Sequence, residues 1–378
     1  MKFTVSAAAM RSALTIAAKA ISSKNTLPIL DNVKLDFPER EDPQMTITGS
    51  NVETTITVAL PISEAEGLKS ICLPARICSD MLAQLPEQPI TFEIDTESLN
   101  VEVRYQNGHY SFMGEFPNEY PISESPDADA LRTTLDGALL NRICARLAPY
   151  AANDELRPVM NGIYFDFRKE GLTTVSSDGH RLLRWIHSDI VAAEPGAFIL
   201  PAGIANVLKT CIKSGEVSVA FDATNIHFTT ENEGITITCR QIEGRYPNYN
   251  SVIPEGNPFT LTVNRLELIA AIRRVMVMSD KAAGTIRLGM KPKDDSVSVD
   301  AQNIDFSTSA EESVTGTHNI SRSFRIGFKG EFLRTLLETA TSDQVDISLS
   351  DPSRASVTTE HEGDDSILLL LMPMMISD

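Results

Sequence analysis

The residues best suited to chemistry lie in one short run, Ser177, Asp178, Gly179, His180, Arg181 and Leu182. A serine, an acid and a histidine so close together suggest a hydrolase, with the imidazole as base and the carboxylate as its orienter. The spacing argues against it. Neighbours two apart on a turn make a poor base–orienter pair, and no placed nucleophile accompanies them. The run falls between Thr173–Val175 and Leu182–Leu183, so Asp178-Gly179 reads first as a hairpin turn. The chain has no GxxxxGK[ST] phosphate loop, HExxH, calcium loop or GxSxG turn. Its six histidines (109, 180, 187, 227, 318, 361) are scattered without metal-ligand spacing. No metal, cofactor or catalytic residue is expected. Five cysteines (72, 78, 144, 211, 239) form no CxxC pair and read as reduced cytosolic thiols.

The elements that must position these residues repeat three times. A short apolar strand followed by a helix start recurs with presumed N-caps Ser6, Asp136 and Asn264, spaced by 130 and 128 positions. Each cap has a side-chain oxygen that can accept from the free N–H groups of a helix's first turn. Each third ends in a proline corner, at Phe116-Pro117, Tyr246-Pro247 and Met372-Pro373. A period this long means tandem domains of one fold rather than a solenoid. Each third also holds a second helix start, after Leu73-Pro74, Leu200-Pro201 and Phe328-Lys329. Alternating runs such as Ile90–Ile94, Val217–Phe221 and Val345–Leu349 read as half-buried strands. The class is α+β, with antiparallel sheets and helices packed on one face. Met10, Leu14, Ala17 and Ile21 should form the buried stripe of the first helix, and Leu139, Ile143 and Leu147 that of the third. Linkers at 123–129 and 254–258 place the domains at 1–128, 129–255 and 256–378.

The 378 residues carry 33 basic and 51 acidic side chains, a net charge of −18. Its distribution matters more than its sum. Helical windows at 6–24, 75–84, 136–148, 202–213, 264–281 and 329–340 carry a net +8, which leaves −26 on strands and loops. Basic helices and acidic strands imply one positive and one negative surface. The start of the chain does not read as a signal peptide, and the longest apolar run, 367–376, is too short to cross a bilayer. No membrane partner is expected.

Five marks in order then carry a resemblance over the whole length: Thr26–Leu30 (TLPIL), Arg157–Gly162 (RPVMNG), Ser177–Leu182 (SDGHRL), Glu243–Tyr249 (EGRYPNY) and Met372-Pro373-Met374. The chain resembles the bacterial DNA polymerase III beta subunit, the sliding clamp. The resemblance implies three tandem clamp domains, each of two strand–helix–strands units, with sheets outside and helices inside. They would close as a head-to-tail homodimeric ring that encircles double-stranded DNA without sequence preference and confers processivity. Geometry favours two copies. Six helices about 10 Å apart leave a hole of about 9 Å, whereas twelve leave about 28 Å, enough for a duplex and water. Cytoplasmic replication forks would be the place of action.

The resemblance also assigns sites. A pocket for short peptide motifs of the polymerase, clamp loader and other proteins would be lined by Met160, Ser177, Gly179, His180, Arg181, Leu182, Pro247, Ser251, Val252, Phe332, Met372, Pro373, Met374 and Ile376. Polarizable Met and Leu walls accept varied side chains, and a few polar groups orient the peptide. Ser251 and Met375 stand where well-known members have arginine, so motif preference can differ. Lys24 sits where the family usually has a DNA-contacting basic residue. Helix placement adds Arg76, Arg142, Arg146, Lys209, Lys213, Arg273 and Arg274, which would face phosphates across water. In the Pro201–Gly203 turn, where family members often carry a basic residue, Ala202 and Gly203 stand instead. At the seam between copies, Val277 and Met278 would meet Tyr110 and Phe112. An enzyme with a site assembled between domains would instead need a perturbed titratable cluster in a cleft. A secreted adhesin would need an export signal and would not need basic helices.

Overall fold

The computed structural model describes residues 1–25, 27–39, 41–121, 125–192, 194–230, 234–362 and 366–376. Six helices form: α1 (Ala7–Ala17), α2 (Ala75–Gln84), α3 (Gly137–Leu147), α4 (Ala202–Cys211), α5 (Arg265–Met276) and α6 (Gly330–Thr339). The three expected caps all accept from the third residue onward. Ser6 Oγ takes Ala9 N–H at 3.1 Å, Asp136 Oδ1 takes Leu139 N–H at 2.8 Å, and Asn264 Oδ1 takes Glu267 N–H at 3.0 Å. Each bond satisfies a donor that the helix itself leaves open. α2 and α6 begin at Pro74 and Lys329 without a side-chain cap.

The helices are shorter than their sequence windows. α1 tightens into a 3₁₀ turn at Ala18–Ala20 and stops, so Ile21 and Lys24 lie beyond it. Its buried stripe is Ala7, Met10, Ala13, Leu14 and Ala17. In α3 the buried line passes through Leu140, Ile143, Cys144 and Leu147, with Leu139 half-buried at its edge. The six helices as folded still hold nine basic and four acidic side chains. Among the described residues no helix is long and apolar enough to cross a membrane.

The chain divides into two compact units, 1–142 with 204–243 and 143–203 with 244–378. The first has a five-stranded and an eight-stranded sheet, the second a twelve-stranded one. These units cut across the sequence thirds because sheets run through the junctions. In the first unit Ile235–Arg240 pairs antiparallel with Thr54–Pro61, Ile237 opposite Ile56. In the second, Arg181–His187 pairs antiparallel with Ile367–Leu371, Leu183 opposite Leu369. α1 packs against α2 in the first unit, and α5 against α6 in the second. Phe3 stacks on Phe92 at 4.8 Å in one core, and Phe165 on Phe198 at 4.7 Å in the other. Of the two linkers, residues 122–124 lie outside the described residues, and 254–258 carry no helix, while the next strand begins at Phe259.

The repeat reaches single hydrogen bonds. Ser50 Oγ accepts from Val52 N–H and Ser177 Oγ from Gly179 N–H, both at 3.1 Å. Glu53 O accepts from Arg240 N–H at 2.9 Å as His180 O accepts from Met372 N–H at 2.8 Å. Both turns need positive φ, +90° at Gly179 and +77° at Val52. Glycine adopts this freely, whereas a β-branched residue is strained there. Val52 is 53% exposed, so its side chain returns little. Val52→Gly should therefore raise stability by about 1 kcal/mol in urea unfolding, the strain relieved less the glycine's entropy. A loss of stability would show that the turn is not strained.

Candidate functional site

The SDGHRL run folds as the expected hairpin turn between strands Gly171–Ser177 and Arg181–His187. Asp178 organises it. Its Oδ1 accepts from His180 N–H at 2.8 Å and Arg181 N–H at 3.0 Å, and its Oδ2 accepts from Arg181 Nε at 3.0 Å. Arg181 is the centre of the site. Its side chain is only 12% exposed, and Nη2 donates to Pro149 O at 2.6 Å. The guanidinium lies 4.3 Å from the Phe332 ring centre and 5.2 Å from that of Tyr150. Lys329 Nζ sits 4.5 Å from Phe332, and the His180 ring 6.4 Å away. Phe332 is thus ringed by cationic and aromatic groups that hold it by cation–π attraction. Tyr150 is fully buried and donates to Thr339 Oγ1 at 3.1 Å; burial raises its phenol well above the ordinary value.

The tail closes over this turn. Beyond the His180–Met372 bond, Met374 N–H donates to Gly327 O at 2.8 Å, and Thr285 Oγ1 to Met374 Sδ at 3.7 Å. Gly327 leaves no space for a side chain: an added Cβ would lie 2.3 Å from Ile376 Cγ2 and 3.0 Å from Met374 O. Gly327→Ala should push the tail off its bridge. For the peptide pocket that the resemblance implies, we expect affinity to fall about tenfold with little change in melting temperature, because the tail's end adds little core. Isothermal titration with a peptide of the kind that the resemblance implies, beside a thermal melt, separates the two.

The sequence-derived lining is brought together in part. Ser177, Gly179, His180, Arg181, Leu182, Phe332, Met372, Pro373, Met374 and Ile376 form one connected group through the bonds above and the Leu182–Leu370 strand pairing. Met160 and the segment bearing Pro247, Ser251 and Val252 join it indirectly. Tyr246 stacks on Tyr164 at 4.8 Å and lies against the Ser177 main chain, anchoring Pro247. Ser251 Oγ turns to its own loop, donating to Asn248 O at 2.6 Å, and Val252 is exposed. Sequence reasoning missed Tyr150, Pro149 and Lys329. The Pro149-Tyr150 step closing the third helix was the available signal.

Sequence models of the DNA polymerase III beta subunit match end to end: the N-terminal domain over residues 1–124, the central domain over 134–248 and the C-terminal domain over 250–375. The chain belongs to the DNA polymerase III beta subunit family. It is therefore a DNA sliding clamp with three tandem clamp domains, a non-catalytic subunit of the replicative polymerase. The beta sliding clamp of Pseudomonas putida is 27% identical over 100% of both chains, and that of Staphylococcus aureus 24% over 99% of both. The crystal structure of the Pseudomonas aeruginosa DNA polymerase III subunit beta superposes with a TM-score of 0.91 at 25% identity, covering 100% of each chain. Another structure of the Pseudomonas aeruginosa clamp is bound to griselimycin.

The clamp's basic residues differ in how free they are. Lys24, Arg76, Arg142 and Lys213 are exposed, although Arg76 lies 3.9 Å from Asp80 and Lys213 Nζ donates to Lys209 O at 2.5 Å. Lys24 and Lys213 stand just outside their helices, which corrects the sequence windows. Arg146 packs over Trp185 at 4.7 Å, and Lys209 is half-buried. Arg273 Nη2 donates to Glu338 at 2.7 Å and Arg274 Nε to Glu312 at 2.8 Å. The Arg274 bond holds the Glu312 carboxyl below its ordinary value. Both arginines are thus already paired with carboxylates in the single chain. Exposed Arg11 on the first helix and Lys19 on the 3₁₀ turn that follows it were not among the candidates, though they fall off its apolar face. Tyr110 and Phe112 are half-buried on Gly108–Met113, the terminal strand of the five-stranded sheet. Val277 is 75% exposed and Met278 39%, just beyond α5.

Proposed function

We propose that two copies of this clamp join head to tail in a ring around duplex DNA, with domains divided near residues 128 and 255. Among the described residues the outer edge of Gly108–Met113 is unpaired; this edge, carrying Tyr110 and Phe112, and the exposed Val277-Met278 at the end of α5 support this seam. Burying both removes an aggregation-prone edge and an apolar end. Lys24, Arg76, Arg142, Arg146, Lys209, Lys213, Arg273 and Arg274 supply sequence-independent, salt-sensitive attraction to the phosphates. The pocket around Arg181, Phe332 and Met372–Ile376 takes short peptide motifs of the replicative polymerase and clamp loader, with the cytoplasmic replication fork as the place of action. The observation that carries the reading is the thrice-repeated capped helix, whose basic side chains stand off the buried stripe. Sedimentation velocity at micromolar concentration tests it: a dimer is expected, and a strict monomer would overturn the ring.

A further inference from the structure

The hairpin between Ser296–Asn303 and Thr308–His318 ends in two large apolar side chains open to solvent, Ile304 at 78% and Phe306 at 77%. Its tip is a formed turn, with Phe306 N–H donating to Asn303 Oδ1 at 3.2 Å and Ser307 N–H to Ile304 O at 3.2 Å. A preformed knob loses little freedom on docking. Thr308 Oγ1 donates to Met278 O at 3.3 Å, so the knob is continuous with the apolar end of α5. Among the described residues, this strand pairs from Thr308 to Thr315 on one side only, with Ser296–Asn303.

The other unit carries a matching hollow. Directly after Gly108–Met113 the chain passes Phe116, which with Leu27 and Leu99 lines a groove of about 470 Å³. Phe116 and Leu27 are exposed there.

We propose that the groove of one copy receives the Ile304–Phe306 knob of a second copy, as an apolar clasp beside the seam. The inference rests on the ring reading above. The sheet pairings described above are antiparallel. If the edge Gly108–Met113 joins the free edge from Thr308 in that sense, the end of the first strand lies beside the start of the second. Phe306 stands two residues before Thr308 and Phe116 three residues after Met113, so the two meet. A parallel join would set the knob against the polar turn at Gln106-Asn107. Asp305 on the knob and Glu115 and Glu119 at the groove repel, so apolar contact, not ion pairing, holds the clasp.

A double-mutant cycle on dimer dissociation, read by sedimentation in the full chain, tests this. Phe306→Ser and Phe116→Ser should each weaken the dimer by about tenfold, and the double variant should be no weaker than about twentyfold. Both side chains are exposed in the single chain, so unchanged melting of the monomer at high dilution checks folding. Losses that multiply to about a hundredfold would mean independent sites and overturn the clasp. A wild-type dimer indifferent to Phe306→Ser overturns the clasp alone and leaves the groove to another partner. A monomeric wild type overturns the ring reading first.

Discussion

Arg181→Ala should cost the protein both the proposed peptide site and part of its stability. One guanidinium pairs with Asp178, donates to Pro149 O and lies over Phe332 and Tyr150, all while nearly enclosed. Its removal leaves a largely enclosed carboxylate without its cation, while the exposed Pro149 carbonyl turns to water. Breaking such a buried pair from one side costs about 3 kcal/mol. For a unit of this size that lowers the melting temperature by roughly 6–12 °C. Phe332 also loses one of the two cations that hold its ring, so clamp-motif peptide affinity should drop about thirtyfold, the equivalent of ~2 kcal/mol. Arg181→Lys keeps the charge but loses the planar fork and the stacking, and should lie between the two. Calorimetry and fluorescence anisotropy read both effects. Unchanged melting and affinity would show that Arg181 is a bystander.

Val277→Asp should leave the single chain folded and take the dimer apart. Val277 is largely exposed in one copy, so the substitution removes no core contact there. In the proposed seam it would bury an unpaired carboxylate against Tyr110 and Phe112. A penalty of about 3 kcal/mol or more corresponds to a dissociation constant raised at least about a hundredfold. Sedimentation at a few concentrations would detect it. An unchanged dimer would move the seam elsewhere on the molecule.

What could be read in advance follows from how local each interaction is. Ser6, Asp136 and Asn264 are legible caps because a cap bonds three residues away. The hairpin at Asp178-Gly179 is legible for the same reason. The end of α1 is not, since the basic and apolar pattern runs on past Ala20 while the chain turns away. In α3, Ile143 and Leu147 are legible as the buried line, but Leu139 and Leu140 are equally apolar, and only packing buries Leu140 and leaves Leu139 at the edge. Arg181 is visible as a motif residue, but its role depends on Tyr150 and Phe332, 31 and 151 positions away. Arg273 and Arg274 look like free helix cations until Glu338 and Glu312 arrive from distant elements. The compact units escaped the sequence altogether, because a repeat marks where copies begin and not which strands join them.

The most direct test of an encircling ring uses topology. The protein is loaded by its clamp loader and ATP onto a nicked circular plasmid, freed of loader, and followed by gel filtration before and after one cut that linearises the DNA. Retention on the circle and prompt loss from the cut duplex is the predicted result. Equal loss from both forms would mean the protein holds DNA by contact rather than by enclosure, and would contradict the account.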